Sequence, residues 1–441
     1  MRSRRLRYLL GAVSLSWLFF ILFRIVFFYT FNDPVADVSA SDLTRAFWMG
    51  VRFDLRLAIL ISLPLLVLTM IPVLNMGRSH RTRTVGKWIY GILIIGAVLF
   101  YTADFGHYAY LQQRVDITAL ILLENPTISA QMVWESYPVV WFLSILALLC
   151  FTWIKLHDGL VAATVAKTPK YRNTSHKVVG VIVGGTIYLF SLWGTFAQYA
   201  LFWSDAFFSR DPFVSALALN PVLYFYDTSN FSEADFDIEK VREYYPTISN
   251  WLGVAEPDQD NMNFTREIIP DKKIEPPPNI VIIFMESVGL NRMRLMGNPF
   301  DTTPTLDQLA KNGLFFPNFY VPWVSTSRSV FTMVTGIPDV ARTKTSSRNP
   351  LIRDQYSIIS EFVDHDKYYL IGGSASWANI RSLITYNLKD MELLELGDFN
   401  RPRVDVWGIS DLDLLREAHD LFSKRDSEKP FFAIVQTAAN H

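Results

Sequence analysis

Hydrophobic and polar positions divide this chain into two unlike parts. Five long apolar runs, Tyr8–Phe31, Phe47–Leu74, Trp88–Phe105, Tyr137–Ile154 and Val178–Ala200, crowd the first 200 residues. At about 1.5 Å of helical rise per residue, each is of the length needed to cross a hydrocarbon core of about 30 Å. The pattern predicts a bundle of five transmembrane helices over residues 1–200. The first run follows Arg2, Arg4, Arg5 and Arg7, as the core of a signal peptide would. Its apolar stretch is too long for one and no small-residue cleavage site follows, so it reads as a retained helix.

From Asn279 the texture changes to short apolar runs alternating with amphipathic ones, the pattern of an α/β domain with a mainly parallel sheet over residues 279–441. Asn279–Phe284 reads as a central buried strand, Thr305–Asn312 as a helix and Lys367–Ile371 as a strand. Asp411–Ser423 reads as a helix with Leu412, Leu415, Ala418, His419 and Phe422 on one face, and Phe431–Gln436 as a further strand. Residues 201–278 form a connector. Its early part, with Trp203, Phe207, Phe208 and Phe213, is amphipathic and is expected to lie on the membrane surface. It turns acidic and polar from Ser232 and closes in Pro276-Pro277-Pro278, a stiff extended spacer.

Composition supports the division. Charged residues make up 19% of the chain, against about 25% in soluble proteins, and half of all residues are hydrophobic, which points to the lipid bilayer as a partner. With 41 Lys+Arg against 42 Asp+Glu there is no basic field to attract nucleic acid. Cys150 is the single cysteine, which excludes an intrachain disulfide and a cysteine metal cage.

Basic residues are distributed unevenly between the loops. The N-terminus carries four arginines; Arg78, Arg81, Arg83 and Lys87 follow the second run, and Lys155, Lys167, Lys170, Arg172 and Lys177 follow the fourth. The two remaining loops hold Arg45 and Arg114 alone. Positive-inside logic places the N-terminus in the cytoplasm and everything after residue 200 outside, in a multi-pass protein of the cytoplasmic membrane. Helical rise puts Arg24 and Asp54 at similar depths, so either they pair within the membrane or Arg24 snorkels while Asp54 stays near the headgroups. Asp104, His107 and Tyr108 close the third run and read as interfacial.

Candidate chemistry gathers where strands end, since ligands of open α/β sheets collect at their carboxyl ends. Glu286 follows the run Ile280–Met285 directly; it is either a metal ligand or a first-turn helix carboxylate favoured by the macrodipole. In Val324–Gly336, Ser325 or Thr326 is placed to cap a helix that stops at a glycine. A hydroxyl there is either an ordinary cap or, beside unpaired amides and a metal, a nucleophile towards phosphorus or sulfur.

Glu286-Ser287, the stretch Thr303–Tyr320, the Ser/Thr helix start and Thr335-Gly336-Ile337-Pro338 occur in an order that resembles the sulfatase/alkaline phosphatase superfamily. The resemblance is to its membrane-anchored branch, typified by lipoteichoic acid synthase and related phosphoglycerol transferases, in which five helices precede an extracytoplasmic sulfatase-like domain. Gly372–Arg381, Trp407–Asp411 and Thr437–His441 look like later motifs of the family. The resemblance implies Glu286 as a metal ligand, Thr326 as nucleophile and second ligand, and His441, Arg381, Asn379 and Trp377 as substrate-binding residues. It implies a divalent cation, Mn2+ or Mg2+ in this branch and Zn2+ or Ca2+ elsewhere; a carboxylate and a hydroxyl mildly favour the first two.

Two departures accompany it. Related sequences read Gly-Gly-Asp where this one has Gly372-Gly373-Ser374. The family's remaining metal ligands, an Asp-His pair, lie on a strand beyond the Asn-His motif at which this chain stops, so the sheet and metal site are expected to be incomplete. Asp364-His365-Asp366 reads as a solvated turn and not as their substitute. The expected activity is metal-dependent transfer or hydrolysis of a phosphoglycerol-type group on a membrane lipid headgroup. Sulfate-ester hydrolysis is the alternative, although Ser325–Ser329 lacks the proline of the formylglycine motif. An inactive, fragmentary membrane binding protein is the third.

Overall fold

A computed structural model describes residues 4–33, 38–70, 80–123, 127, 134, 139–166, 174–209, 211–229, 237–272, 274–340, 345–352, 354–425 and 428–438. His441 lies outside the described residues, as do Arg2, Arg78, Lys167, Lys170 and Arg172 of the charge asymmetry.

Five long helices occupy the predicted runs: α1 (Arg4–Phe31), α2 (Ala40–Met70), α3 (His80–Leu111), α4 (Val139–Ala166) and α5 (Thr174–Trp193). Three contain stretches long and apolar enough to cross a membrane, namely Arg7–Phe31, Arg81–Leu111 and Val139–Thr164. The expectation of five crossing helices is thus corrected to three among the described residues. Asp42, Arg45, Arg52, Asp54 and Arg56 leave α2 uncharged only from Leu57 onward, and the described apolar part of α5 is the shorter Ile182–Trp193.

The Arg24–Asp54 pair forms. Asp54 accepts from Arg24 Nε at 2.9 Å and from Arg24 Nη2 at 2.7 Å, with both side chains buried. Arg24 Nη2 also donates to Gly50 O at 3.1 Å, and Asn220 Nδ2 donates to Asp54 Oδ1 at 2.9 Å. A second buried pair joins Arg114 to Asp104; Asp104 and Tyr108, both read as interfacial, are buried within the protein, while His107 is partly exposed and bonded to Gln113 O at 2.9 Å.

These pairs also meet the connector. The apolar side chains at its start, read as amphipathic and surface-lying, pack against helices of this chain. This segment forms α6 (Pro212–Ala218) and α7 (Pro221–Ser229), and α6 inserts beside α1 and α2. Leu201, Trp203, Phe207, Val214, Leu217 and Leu219 share one apolar cluster with Phe27, Met49, Phe53 and Tyr108. A helix end inside an apolar bundle leaves carbonyls that need donors. Arg24 supplies Leu217 O and Leu219 O, and Arg114 Nε supplies Ala216 O at 2.8 Å. The chain then runs through α8 (Ile238–Leu252), capped by Asp237 and stopped at Gly253, into the exposed stretch that leads to the α/β domain.

That domain carries β1 (Ile280–Phe284), α9 (Pro304–Asn312), α10 (Thr326–Thr335), β2 (Asp366–Ile371), α11 (Ile380–Asn387), β3 (Met391–Leu394), α12 (Asp411–Lys424) and β4 (Phe431–Gln436). The strands lie in the order β1-β4-β2-β3, every pairing parallel. Among the described residues β4 is the strand buried throughout, while β1, read from its apolar run as central, lies at an edge of the four strands. β1 is an edge strand that alternates, with Val281 and Ile283 exposed. Alternation sorts the two faces of the sheet: Tyr369, Ile371, Phe432 and Ile434 pack under α10 and α11, while Leu370 and Val435 pack under Leu414 and Ala418 of α12. Because all four strands are parallel, their carboxyl ends share one edge.

Candidate active site

Two clusters stand on that edge. The first is built where β1 and β4 stop. Glu286 N–H donates to Thr437 Oγ1 at 2.8 Å and Thr437 N–H donates to Phe284 O at 3.0 Å, which extends the pairing of the two strands past their ends. Each carboxylate oxygen of Glu286 accepts a hydroxyl: Oε1 from Ser287 at 2.8 Å, Oε2 from Thr326 at 2.6 Å. Ser287 has φ 54°, a left-handed backbone uncommon for a residue with a β-carbon, and this turn folds its hydroxyl back onto Glu286. Behind the cluster, Tyr369 Oη donates to Gln436 Oε1 at 2.5 Å; burial pushes this phenol far above its usual range, so it stays a donor.

Thr326 is the first residue of α10, which ends at Gly336 with φ 73°. Ser325 holds the capping position in extended conformation but its side chain makes no cap bond; its hydroxyl meets Ser327 Oγ at 3.0 Å instead. The Thr326 hydroxyl thus sits at a helix N-terminus that the Ser325 side chain does not cap, where the dipole favours an anion. A carboxylate 2.6 Å away is positioned to take its proton.

The second cluster follows β2. Gly372 and Gly373 pass against Trp407-Gly408 so closely that a β-carbon on Gly408 would collide with Gly372 O, and Ile409 N–H donates to that carbonyl at 3.0 Å. The two glycine motifs are therefore one crossing point. Beyond it Ala378 and Asn379 both take left-handed backbone, φ 51° and 61°. Arg381 is paired with Glu395, the residue after β3, and Glu395 Oε2 accepts from Ala375 N–H at 2.7 Å. Hence a carboxylate stands at the Gly372–Ser374 turn although Ser374 occupies the expected acidic position. Asn379 Oδ1 accepts from Ser204 Oγ at 2.7 Å, and the Trp377 ring meets Trp407 edge-on at 6.3 Å.

The structure brings Glu286 and Thr326 together and gathers Trp377, Asn379 and Arg381 on the loop after β2. Asp364, His365 and Asp366 lie at the opposite, amino edge, where His365 Nε2 bonds Pro278 O at 3.1 Å and Asp366 pairs with Arg425 at 3.1 Å. Glu395 escapes the sequence reading, and Ser287 and Thr437 enter it only as parts of motifs, with no role of their own. The rule that singled out Glu286, a polar residue just past a strand, would have found Glu395 and Thr437; nothing local marks Ser287 as left-handed. The Glu286 carboxylate and Thr326 hydroxyl suit a hard cation in kind. In number they fall short of a cation's ligand shell, and no group of three His, Cys, Asp or Glu side chains forms a cage among the described residues.

Residues 278–441 match the family described as Sulfatase. Arylsulfatase A from Homo sapiens is 47% identical over 60 residues, 14% of this chain and 12% of that protein. N-acetylgalactosamine-6-sulfatase from Homo sapiens is 42% identical over 62 residues, again 14% and 12%. The chain covers about an eighth of the length of these relatives. Among solved structures, an alkaline phosphatase superfamily protein from Vibrio parahaemolyticus aligns with TM-score 0.38 and 23% identity over 47% of this chain and 50% of its own. The integral membrane lipooligosaccharide phosphoethanolamine transferase A from Neisseria meningitidis aligns with TM-score 0.28 and 16% identity over 99% and 69%. Behind a helical region with three apolar spans, residues 278–441 thus form a sulfatase-like domain of parallel α/β architecture.

Proposed function

We propose that this chain belongs to an enzyme that transfers or hydrolyses a phosphoryl group on a membrane lipid headgroup, with Thr326 as nucleophile. The observation that carries the reading is the 2.6 Å bond from Thr326 Oγ1 to Glu286 Oε2, made at a helix N-terminus on the carboxyl edge of a parallel sheet. In the proposed step Thr326 Oγ bonds to phosphorus as its proton passes to Glu286, the bond from phosphorus to the lipid oxygen breaks with that oxygen taking a proton from water, and the N-terminal dipole of α10 favours the developing negative charge. Attack by an acceptor hydroxyl, or by water, then returns Thr326. Glu286 and Thr326 are the residues assigned to a divalent cation, Mn2+ or Mg2+ by the hardness of their oxygens, which would supply Lewis-acid stabilisation of phosphoryl charge. Arg381, Asn379, Trp377 and His441 are assigned to the headgroup. The loop charges support an N-terminus in the cytoplasm and a site on the outer face of the cytoplasmic membrane.

Thr326→Ala should abolish turnover of a lipid phosphodiester and remove a phosphoryl adduct detectable on the peptide spanning residues 326–328. Retained turnover in that variant overturns the assignment. The match to sulfatases favours a second reading, sulfate-ester hydrolysis by the same residues. An aryl sulfate offered in place of the phosphodiester separates the two.

A further inference from the structure

The membrane region and the sulfatase-like domain meet through a surface that is separate from their covalent link. Ser204 Oγ donates to Asn379 Oδ1 at 2.7 Å, and Ser376 Oγ donates to Asp205 Oδ1 at 2.5 Å. Thr385 Oγ1 donates to Phe207 O at 2.6 Å, the Phe207 and Tyr386 rings pack edge-on at 5.7 Å, and Arg403 Nη2 donates to Gln198 Oε1. On one side of these contacts is a single turn, residues 198–207. On the other are the loop after β2, α11 and Arg403.

The turn belongs to the membrane region. Leu201 N–H donates to Trp193 O at 2.9 Å, and Arg56 of α2 donates to Leu201 O at 2.5 Å and to Leu192 O at 2.8 Å. Trp203, Ala206 and Phe207 are buried among Phe27, Met49 and Phe53. Tyr386 reaches the same apolar cluster from the other domain. The covalent link runs elsewhere: after α8 and the loop that Tyr245 ties at Asp258 and Asn263, the chain is exposed, with Ile268, Ile269 and Ile274 at 72%, 78% and 70% exposure.

We propose that residues 198–207 are a docking seat for the loop Ser374–Arg381 and α11, and that this seat holds the sulfatase-like domain on the membrane region independently of the covalent link. Ser376 and Asn379, the loop residues that touch the seat, both precede Arg381, whose Nη2 donates to Ser376 Oγ at 3.4 Å, so the seat also positions the candidate headgroup loop over the bundle. The chemistry is a partly buried polar patch with two charge-assisted bonds, Ser376 to Asp205 and Arg403 to Gln198, beside the Phe207–Tyr386 aromatic contact. The inference concerns where the domain sits and stands apart from the reaction assigned to Thr326.

The test reads location. A protease recognition sequence is inserted between Ile269 and Ile274 of the full chain, membranes carrying the protein are cleaved, and pellet and supernatant are compared. The severed domain should remain in the pellet. In a Ser204→Ala/Asp205→Ala variant the severed domain should move to the supernatant, while the uncut variant stays in the pellet as proof of insertion. Thr385→Val, on the opposite side of the seat, should give partial release. Loss of the severed wild-type domain to the supernatant overturns the proposal, and so does full retention in the double variant.

Discussion

At the scale of single residues, Glu286 is defined by three hydroxyls. Ser287 and Thr326 each hold one carboxylate oxygen, and Thr437 accepts its backbone N–H. This arrangement aims one oxygen at Thr326 and keeps the other occupied. It also depends on Ser287 adopting φ 54°, a conformation that costs a residue with a β-carbon about 1–3 kcal/mol and persists because neighbours enforce it. A β-branched replacement makes that conformation much worse, so Ser287→Val should lower the unfolding free energy by at least about 1 kcal/mol, whereas Ser287→Gly should hold stability and loosen Glu286. Melting curves of the two variants check this, and equal destabilisation by both would contradict the strain argument. A second expectation concerns the cation. Two ligands are too few to hold Mn2+ tightly, so adding it to chelator-treated protein should raise the melting temperature of the wild type at most slightly, and Glu286→Gln should remove that rise, because only a ligand bound to the native state stabilises it. An equal rise in both would place the ion elsewhere.

At the scale of elements, the informative feature is a short helix seated inside a bundle. The end of α6 presents carbonyls at Ala216, Leu217 and Leu219, and two arginines from α1 and the α3–α4 loop answer them, each balanced by its own aspartate. Removing one partner of a buried pair strands the other, at about 3–5 kcal/mol. Arg24→Leu and Asp54→Leu should each therefore lower thermal stability in detergent sharply, and the exchange Arg24→Asp/Asp54→Arg should recover part of the loss. An absence of recovery would mean that the carbonyl contacts, not the ion pair, dominate. Gly50 makes room for this guanidinium: a β-carbon at position 50 would collide with it. Gly50→Ala should destabilise the protein although alanine favours helix by about 1 kcal/mol over glycine, a reversal of sign that a melting curve resolves.

At the scale of the whole molecule, the parallel sheet concentrates polar strand ends on one edge, and the turn at 198–207 holds part of that edge against the helices. The proposed topology predicts that a cysteine introduced at exposed Ile268, in a Cys150→Ser background, reacts with a membrane-impermeant thiol reagent in spheroplasts. Labelling only after lysis would reverse the orientation.

Much of this was legible in the sequence, because it rests on local physics. Hydrophobic runs long enough for a bilayer mark the places of all five long helices though not their ends, a strand pattern marks β1, β2 and β4, and a hydroxyl ahead of a helix that stops at glycine marks Ser325 or Thr326, between which only the family resemblance chose. The similar depth of Arg24 and Asp54 also followed from sequence, since helical rise converts residue number into depth, but that they pair and Arg24 does not snorkel was decided by the fold. What the tertiary structure decided is which elements become neighbours. Whether an apolar run is central or edge depends on its partners, which is why β4 and not β1 is buried throughout. Whether Trp203–Leu219 lies on a membrane or inside a bundle depends on donors contributed by residues more than a hundred positions earlier. Glu395, Thr437 and Ser287 became visible as site residues for the same reason: a parallel sheet and a left-handed turn bring together groups that the chain keeps far apart or whose backbone it does not announce.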